Sequence, residues 1–85
     1  MHTSSPHQDQ PLSQLKEASV SHIQKIQTDS STRVRLLGLG LGVGSRIEVL
    51  RNRQGDVVIG NGNNRISLGR SLTQHILVQV QHANG

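Results

Sequence analysis

Ser45-Arg46-Ile47-Glu48-Val49-Leu50, Gln54-Gly55-Asp56, Val57-Val58-Ile59, Gly60-Asn61-Gly62-Asn63-Asn64 and Arg65-Ile66-Ser67-Leu68 follow one another over residues 45–68 and decide the fold class. Ile47 and Val49 alternate with Arg46, Glu48 and Leu50, the period-two pattern of a half-buried strand. Gln54-Gly55-Asp56 reads as a turn, and Val57-Val58-Ile59 as the next strand. Gly60 to Asn64 is a turn cluster, because Gly and Asn tolerate positive φ. Arg65-Ile66-Ser67-Leu68 then completes a three-stranded meander.

On the C-terminal side, Ser71 to His75 predicts a single helical turn with Ser71 as its cap. Ile76, Val78 and Val80 share one face of a last strand. On the N-terminal side, Asp29-Ser30-Ser31-Thr32 is a run of helix-capping residue types. A short helix is expected from near Ser31, with Val34, Leu37 and Leu41 on its core face at i, i+3 and i+7. Gly38 weakens it by about 1 kcal/mol relative to Ala, and Gly40 is placed to stop it.

Ala18 to Gln27 carries two patterns. Val20, Ile23 and Ile26 have helical spacing, whereas the β-branched residues favour a strand. A strand bulged between Val20 and Ile23 is the expectation, since a bulge puts both inside. Leu12 and Leu15 follow Pro11 and suit one helical turn or an extended lead-in. Residues 1–11 hold two Pro, two His and no aliphatic beyond Met1, and read as a disordered tail before a domain at 12–82. About five short strands and two short helices make a small β-barrel the economical, mostly β solution, because closure removes sheet edges.

Composition limits what such a domain does. Eighty-five residues and 9.2 kDa allow one small domain. Eight Val, six Ile and ten Leu build the core without any aromatic residue. Each contributes roughly 1.5–3 kcal/mol on burial. Little is left to wall a deep ligand pocket, which typically takes roughly 300–1,000 Å³. The expectation is no enzyme, no cofactor and no small-molecule ligand. A net charge of +4 is spread singly along the chain, and a solvated surface explains it as well as a phosphate footprint does. With no Cys, neither disulfides nor thiolate metal sites arise. The first eleven residues lack the apolar stretch of a secretory signal, and no aliphatic run exceeds three residues. The predicted location is the cytoplasm.

The loudest motif, Gly38-Leu39-Gly40-Leu41-Gly42-Val43-Gly44, fails as a phosphate cradle. G-x-G-x-x-G requires Gly at position 43 or 45, where Val43 and Ser45 stand, and it should open a helix rather than close one. A helix C-cap leading into a tight helix-to-strand turn is the better reading. His2, His7, His22, His75 and His82 lack the spacing of a metal set, so no metal site is expected. Nothing resembles a nucleophile elbow, so no catalytic residue is assigned and Asp56 is read as a turn residue. Arg46, Arg51, Arg53, Arg65 and Arg70 admit nucleic-acid binding as an alternative, but single-strand binders stack bases on aromatic rings.

Arg35-Leu36-Leu37-Gly38-Leu39-Gly40-Leu41-Gly42-Val43-Gly44-Ser45 resembles the signature of the FeoA family, ferrous iron transport protein A, roughly R-L-x-x-L-G-[LM]-x-P-G leading into a strand. Ile47 to Leu50, Gly55-Asp56, Arg65 to Leu68 and Ser71 to Val78 agree with the later parts in order and spacing, so the resemblance covers about residues 12–80. Val43 departs from the commoner Pro, and Gly38 from a commoner polar or acidic residue. The resemblance implies an SH3-like barrel in the bacterial cytosol, acting as an accessory or regulatory partner of FeoB, a membrane ferrous iron transporter with a cytosolic GTPase region. It would meet the membrane only through that partner. A similar SH3-like domain ends some iron-dependent repressors, so a stand-alone regulatory domain is the other alternative. Contact surfaces combine exposed aliphatics with Arg, and the candidates for partner binding are Arg33, Arg35, Leu36 and Leu39.

Overall fold

The computed structural model describes residues 9–81. The strands are β1 (Gln10–Pro11), β2 (Val20–Ile26), β3 (Arg46–Arg53), β4 (Asp56–Asn61), β5 (Asn64–Leu68) and β6 (Ile76–Val80). The α-helices are α1 (Ser30–Gly38) and α2 (Arg70–Thr73), and a 3₁₀ turn occupies Leu12–Gln14. The meander forms as its pattern predicts. Ile47, Val49, Val57 and Ile59 are fully buried, with Glu48 paired to Gly60 and Ile59 to Ile66 across the ladders. The first hairpin turns on Gln54 (φ 54°) and Gly55 (φ 97°), between the paired Arg53 and Asp56. Positive φ at both central residues matches the right-handed twist of the flanking strands. The second turns on Gly62-Asn63, between the paired Asn61 and Asn64.

All six strands form one antiparallel sheet in the order β1-β6-β2-β3-β4-β5. The mostly β, SH3-like class with two short helices stands; closure of the barrel does not. β1 and β5 are the two ends of the order. The sixth strand lies in the expected tail: residues 1–8 of that tail fall outside the described residues, but Gln10 pairs with Val78 and Pro11 with Leu77. β1 is two residues long and ends on a proline without an N–H, so it does not extend the ladder round to β5.

β2 is a strand, but its bulge lies between Ile23 and Lys25 rather than between Val20 and Ile23. Ser21 and Ile23 already alternate inward, and Val20 is half-buried. The extra residue brings Ile26 back to the inner face. α2 also differs from expectation. Gly69 stands at its N-cap, and the Asp56 carboxylate accepts a hydrogen bond from the Arg70 N–H at 2.8 Å, so the cap is supplied from β4 rather than by Ser71. The Thr73 hydroxyl donates to the Gly55 carbonyl at 2.6 Å and fastens α2 to the first hairpin.

The core is a single cluster of thirteen buried aliphatics among the described residues. Leu12 and Leu15 enter it from the N-terminal lead-in. Asn52 holds that segment in place. Its amide donates to the Ser13 and Leu15 carbonyls at 3.0 and 2.7 Å, and its side-chain oxygen accepts from the Gly55 N–H at 2.9 Å.

Candidate partner-binding surface

The surface is organised by how α1 ends. Leu39 is the C-cap, and Gly40 follows in the left-handed region at φ 85°. The Leu41 N–H donates to the Leu36 carbonyl at 2.8 Å, and the Gly40 N–H to the Leu37 carbonyl at 2.9 Å. This pair of bonds is a Schellman motif, whose usual companion is apolar contact between the residues that here are Leu36 and Leu41. Both are in the core cluster. Adding a Cβ at Gly40 would bring it within 3.1 Å of the Asn61 amide nitrogen, which itself donates to the Gly40 carbonyl at 3.0 Å.

Two expectations are corrected here. Leu36 was expected at the surface and is only 3% exposed, while Val34 and Leu37 were expected in the core and are 66% and 63% exposed. The reason is phase. The i, i+7 relation from Val34 to Leu41 holds only while the helix continues, and the left-handed Gly40 turns the chain back so that Leu41 meets Leu36. The predicted C-cap reading of the glycine-rich segment is what the structure contains. Its N–H groups are used internally: Gly42 N–H donates to the Ser45 hydroxyl at 2.9 Å, Gly44 N–H to the Ile23 carbonyl at 2.7 Å, and Ser45 N–H to the Gly42 carbonyl at 3.0 Å. A phosphate cradle needs such donors free.

Arg35 and Leu39 line an open groove of about 540 Å³ between α1 and the corner joining β5 to α2. Leu36 also borders the groove, but it is held in the core and supports the surface rather than presenting itself to a partner. Leu68, Leu72 and His75 line the opposite side. Arg33 is not brought to this groove. It borders a smaller apolar hollow of about 240 Å³ with Val34, Leu37 and Val43. These three aliphatics, with Val43 72% exposed, are the surface feature that the sequence analysis missed.

Asp29, at the α1 N-cap, also lines the larger groove. Hydroxyl hydrogen bonds from Ser31, at 2.6 Å, and from Thr32 hold its carboxyl below the ordinary carboxylate range. His22 pairs with Gln79 in the β2–β6 ladder, whereas His75 precedes Ile76 at the other end of it, so the fold does not join the two. Among the described residues, no group of three or more His, Asp or Glu is placed to hold a metal ion. Nor is any helix there long and apolar enough to cross a membrane.

The fold defines a class first: a small, mostly β, SH3-like domain. The chain belongs to the FeoA family, whose domain model matches residues 10–80. That family is a transport accessory family associated with ferrous iron. The chain is 33% identical over 75 residues to the "Putative Fe(2+) transport protein A" of Methanocaldococcus jannaschii, covering 88% of this chain and 92% of that one. Its fold matches the crystal structure of an iron uptake regulatory protein, FeoA, with a TM-score of 0.80 at 25% identity, over 87% of this chain and all of that one. A manganese-dependent transcriptional repressor shares the fold at a TM-score of 0.77 and 19% identity, with 88% of this chain matching 43% of the repressor.

Proposed function

We propose that this protein is an accessory partner of ferrous iron uptake that binds the cytosolic GTPase region of the FeoB transporter. It works in the cytoplasm and reaches the membrane through that partner. The observation that carries this reading is the exposed end of α1. Arg35 and the 48% exposed Leu39 flank an open groove, while the Schellman motif beneath them fixes the backbone. A rigid rim of that kind loses little conformational freedom on binding. Arg33 borders the separate hollow beside Val34, Leu37 and Val43 and would contact the partner from there. Regulation would follow if the domain binds two states of the transporter with different affinity, since only differential binding shifts a population.

The test is retention of the full chain on immobilised FeoB cytosolic domain, with and without a GTP analogue. Saturable retention is expected, and Arg35→Glu combined with Leu39→Ser should weaken it by at least about tenfold, the scale of a central contact residue. Leu36 is unsuitable for this test because its replacement perturbs the core. No retention of a folded chain in either nucleotide state would refute the reading.

A further inference from the structure

We propose that β5 accepts an additional strand: an extended acidic segment of the partner protein pairs with its free edge, in the cleft beside the C-terminal end of α1. This deepens the reading above and rests on it for the partner. β5 stands at the end of the sheet order, and its neighbour β4 covers one side only. A two-residue hairpin closes on a hydrogen-bonded pair, here Asn61 with Asn64. Antiparallel pairs then alternate, so Ile66 and Leu68 also turn their backbone groups toward β4. The N–H and C=O groups of Arg65 and Ser67 therefore face outward. Among the described residues, neither backbone makes a hydrogen bond beyond the sheet.

Space lies along that edge. Gly38, Leu39 and Gly40 face Asn64, Arg65 and Ile66 across a hollow of about 440 Å³. Further along, Arg35, Leu36 and Leu39 face Ser67, Leu68 and Gly69 across the groove of about 540 Å³. Leu39 borders both, so the two hollows run on from one another past the five residues of β5. The other end strand, β1, has two residues and a proline, which blunts it as a template.

The lining decides the occupant. Leu39 and the half-buried Ile66 offer apolar surface above the buried Leu36 and Leu68, and Arg35 and Arg65 supply positive charge. Among the described residues neither guanidinium is paired with a carboxylate. Asp29, the acid that lines the groove, accepts a hydrogen bond from the Ser31 hydroxyl. Alternating apolar and acidic side chains on an added strand satisfy both features, because successive side chains point to opposite faces. Docking of a proline-rich helix is a different mode that uses aromatic-lined grooves, and this chain has no aromatic residue.

The experiment follows amide-proton exchange of the full chain, residue by residue, with two probes. One is the FeoB cytosolic domain; the other is a capped heptapeptide of alternating valine and glutamate. Exchange at Arg65 and Ser67 should slow by at least about tenfold with either probe. Ser67→Pro removes one outward donor while leaving the β4 pairing, and should weaken binding by about five- to tenfold. Peptides N-methylated at alternate positions should split by register, one set failing and the other binding, a signature that needs no change in the protein. If the FeoB domain binds without protecting these two amides, strand addition is refuted and the partner reading stands. If the peptide protects them and the FeoB domain does not bind, the partner is wrong and the edge site stands. Protection that grows with chain concentration alone would assign the edge to a second copy and overturn the proposal.

Discussion

Replacing Leu36 and Leu37 separately by Ala tests how α1 sits on the sheet. The two residues are adjacent and chemically identical, yet one is 3% and the other 63% exposed. Truncating a buried leucine costs about 2–5 kcal/mol, from lost transfer energy and the cavity left behind. Leu36→Ala also removes one half of the apolar contact with Leu41 that closes the helix. For a chain of this length total stability is roughly 4–13 kcal/mol, so the loss is a large share of it. At about 4–8 °C per kcal/mol, the melting temperature should fall by roughly 8–40 °C. Leu37→Ala removes a surface side chain and should stay within about 0.5 kcal/mol, or less than about 4 °C. Thermal unfolding by circular dichroism and a urea titration with unchanged slope would measure both. Equal losses, or a larger loss for Leu37→Ala, would refute the Schellman closure as the reason that Leu36 faces inward.

Ser21 is fully buried and its hydroxyl has no hydrogen-bond partner among the described residues, so Ser21→Ala should raise stability by about 0.5–1.5 kcal/mol in urea unfolding; a loss would mean that the hydroxyl is satisfied. Asp29 has a lowered folded-state pKa, owing first to the Ser31 hydroxyl and then to Thr32. Its contribution is therefore present above the ordinary carboxylate pKa and is lost as pH falls through the folded value. Asp29→Asn should flatten that acid-side change in α1 amide shifts, and an unaltered pH profile would contradict the assignment.

Much of the fold was legible because its cues are local. Alternation at Ile47 and Val49, the turn chemistry of Gln54-Gly55, and the aliphatic face of Ile76 and Val78 each depend on neighbours in the chain, and each reappears in the structure, although Asp56, read as a turn residue, already belongs to β4. The glycine-rich segment was legible as a helix stop for the same reason. The helix face was not. Nine residues of α1 carry two possible apolar stripes, and its hydrophobic spacing does not choose between them. The contact residues were legible only as residue types. Arg33 and Arg35 lie near one another in sequence but border different hollows, because the helix turns between them.

The chain's own residue order thus determined the class of the domain, the meander, the positions of both short helices and family membership through its signature. The bulge in β2, the capping of α2 by Asp56, the burial of Leu36 and the free edge of β5 were decided by tertiary structure. Each of these depends on which distant groups meet: Ile26 must return to a shared core, the Arg70 N–H must find an acceptor from β4, and Leu41 must fold back over α1. Local periodicity carries no information on those meetings, because the energy that selects them is gained only when the whole sheet has formed.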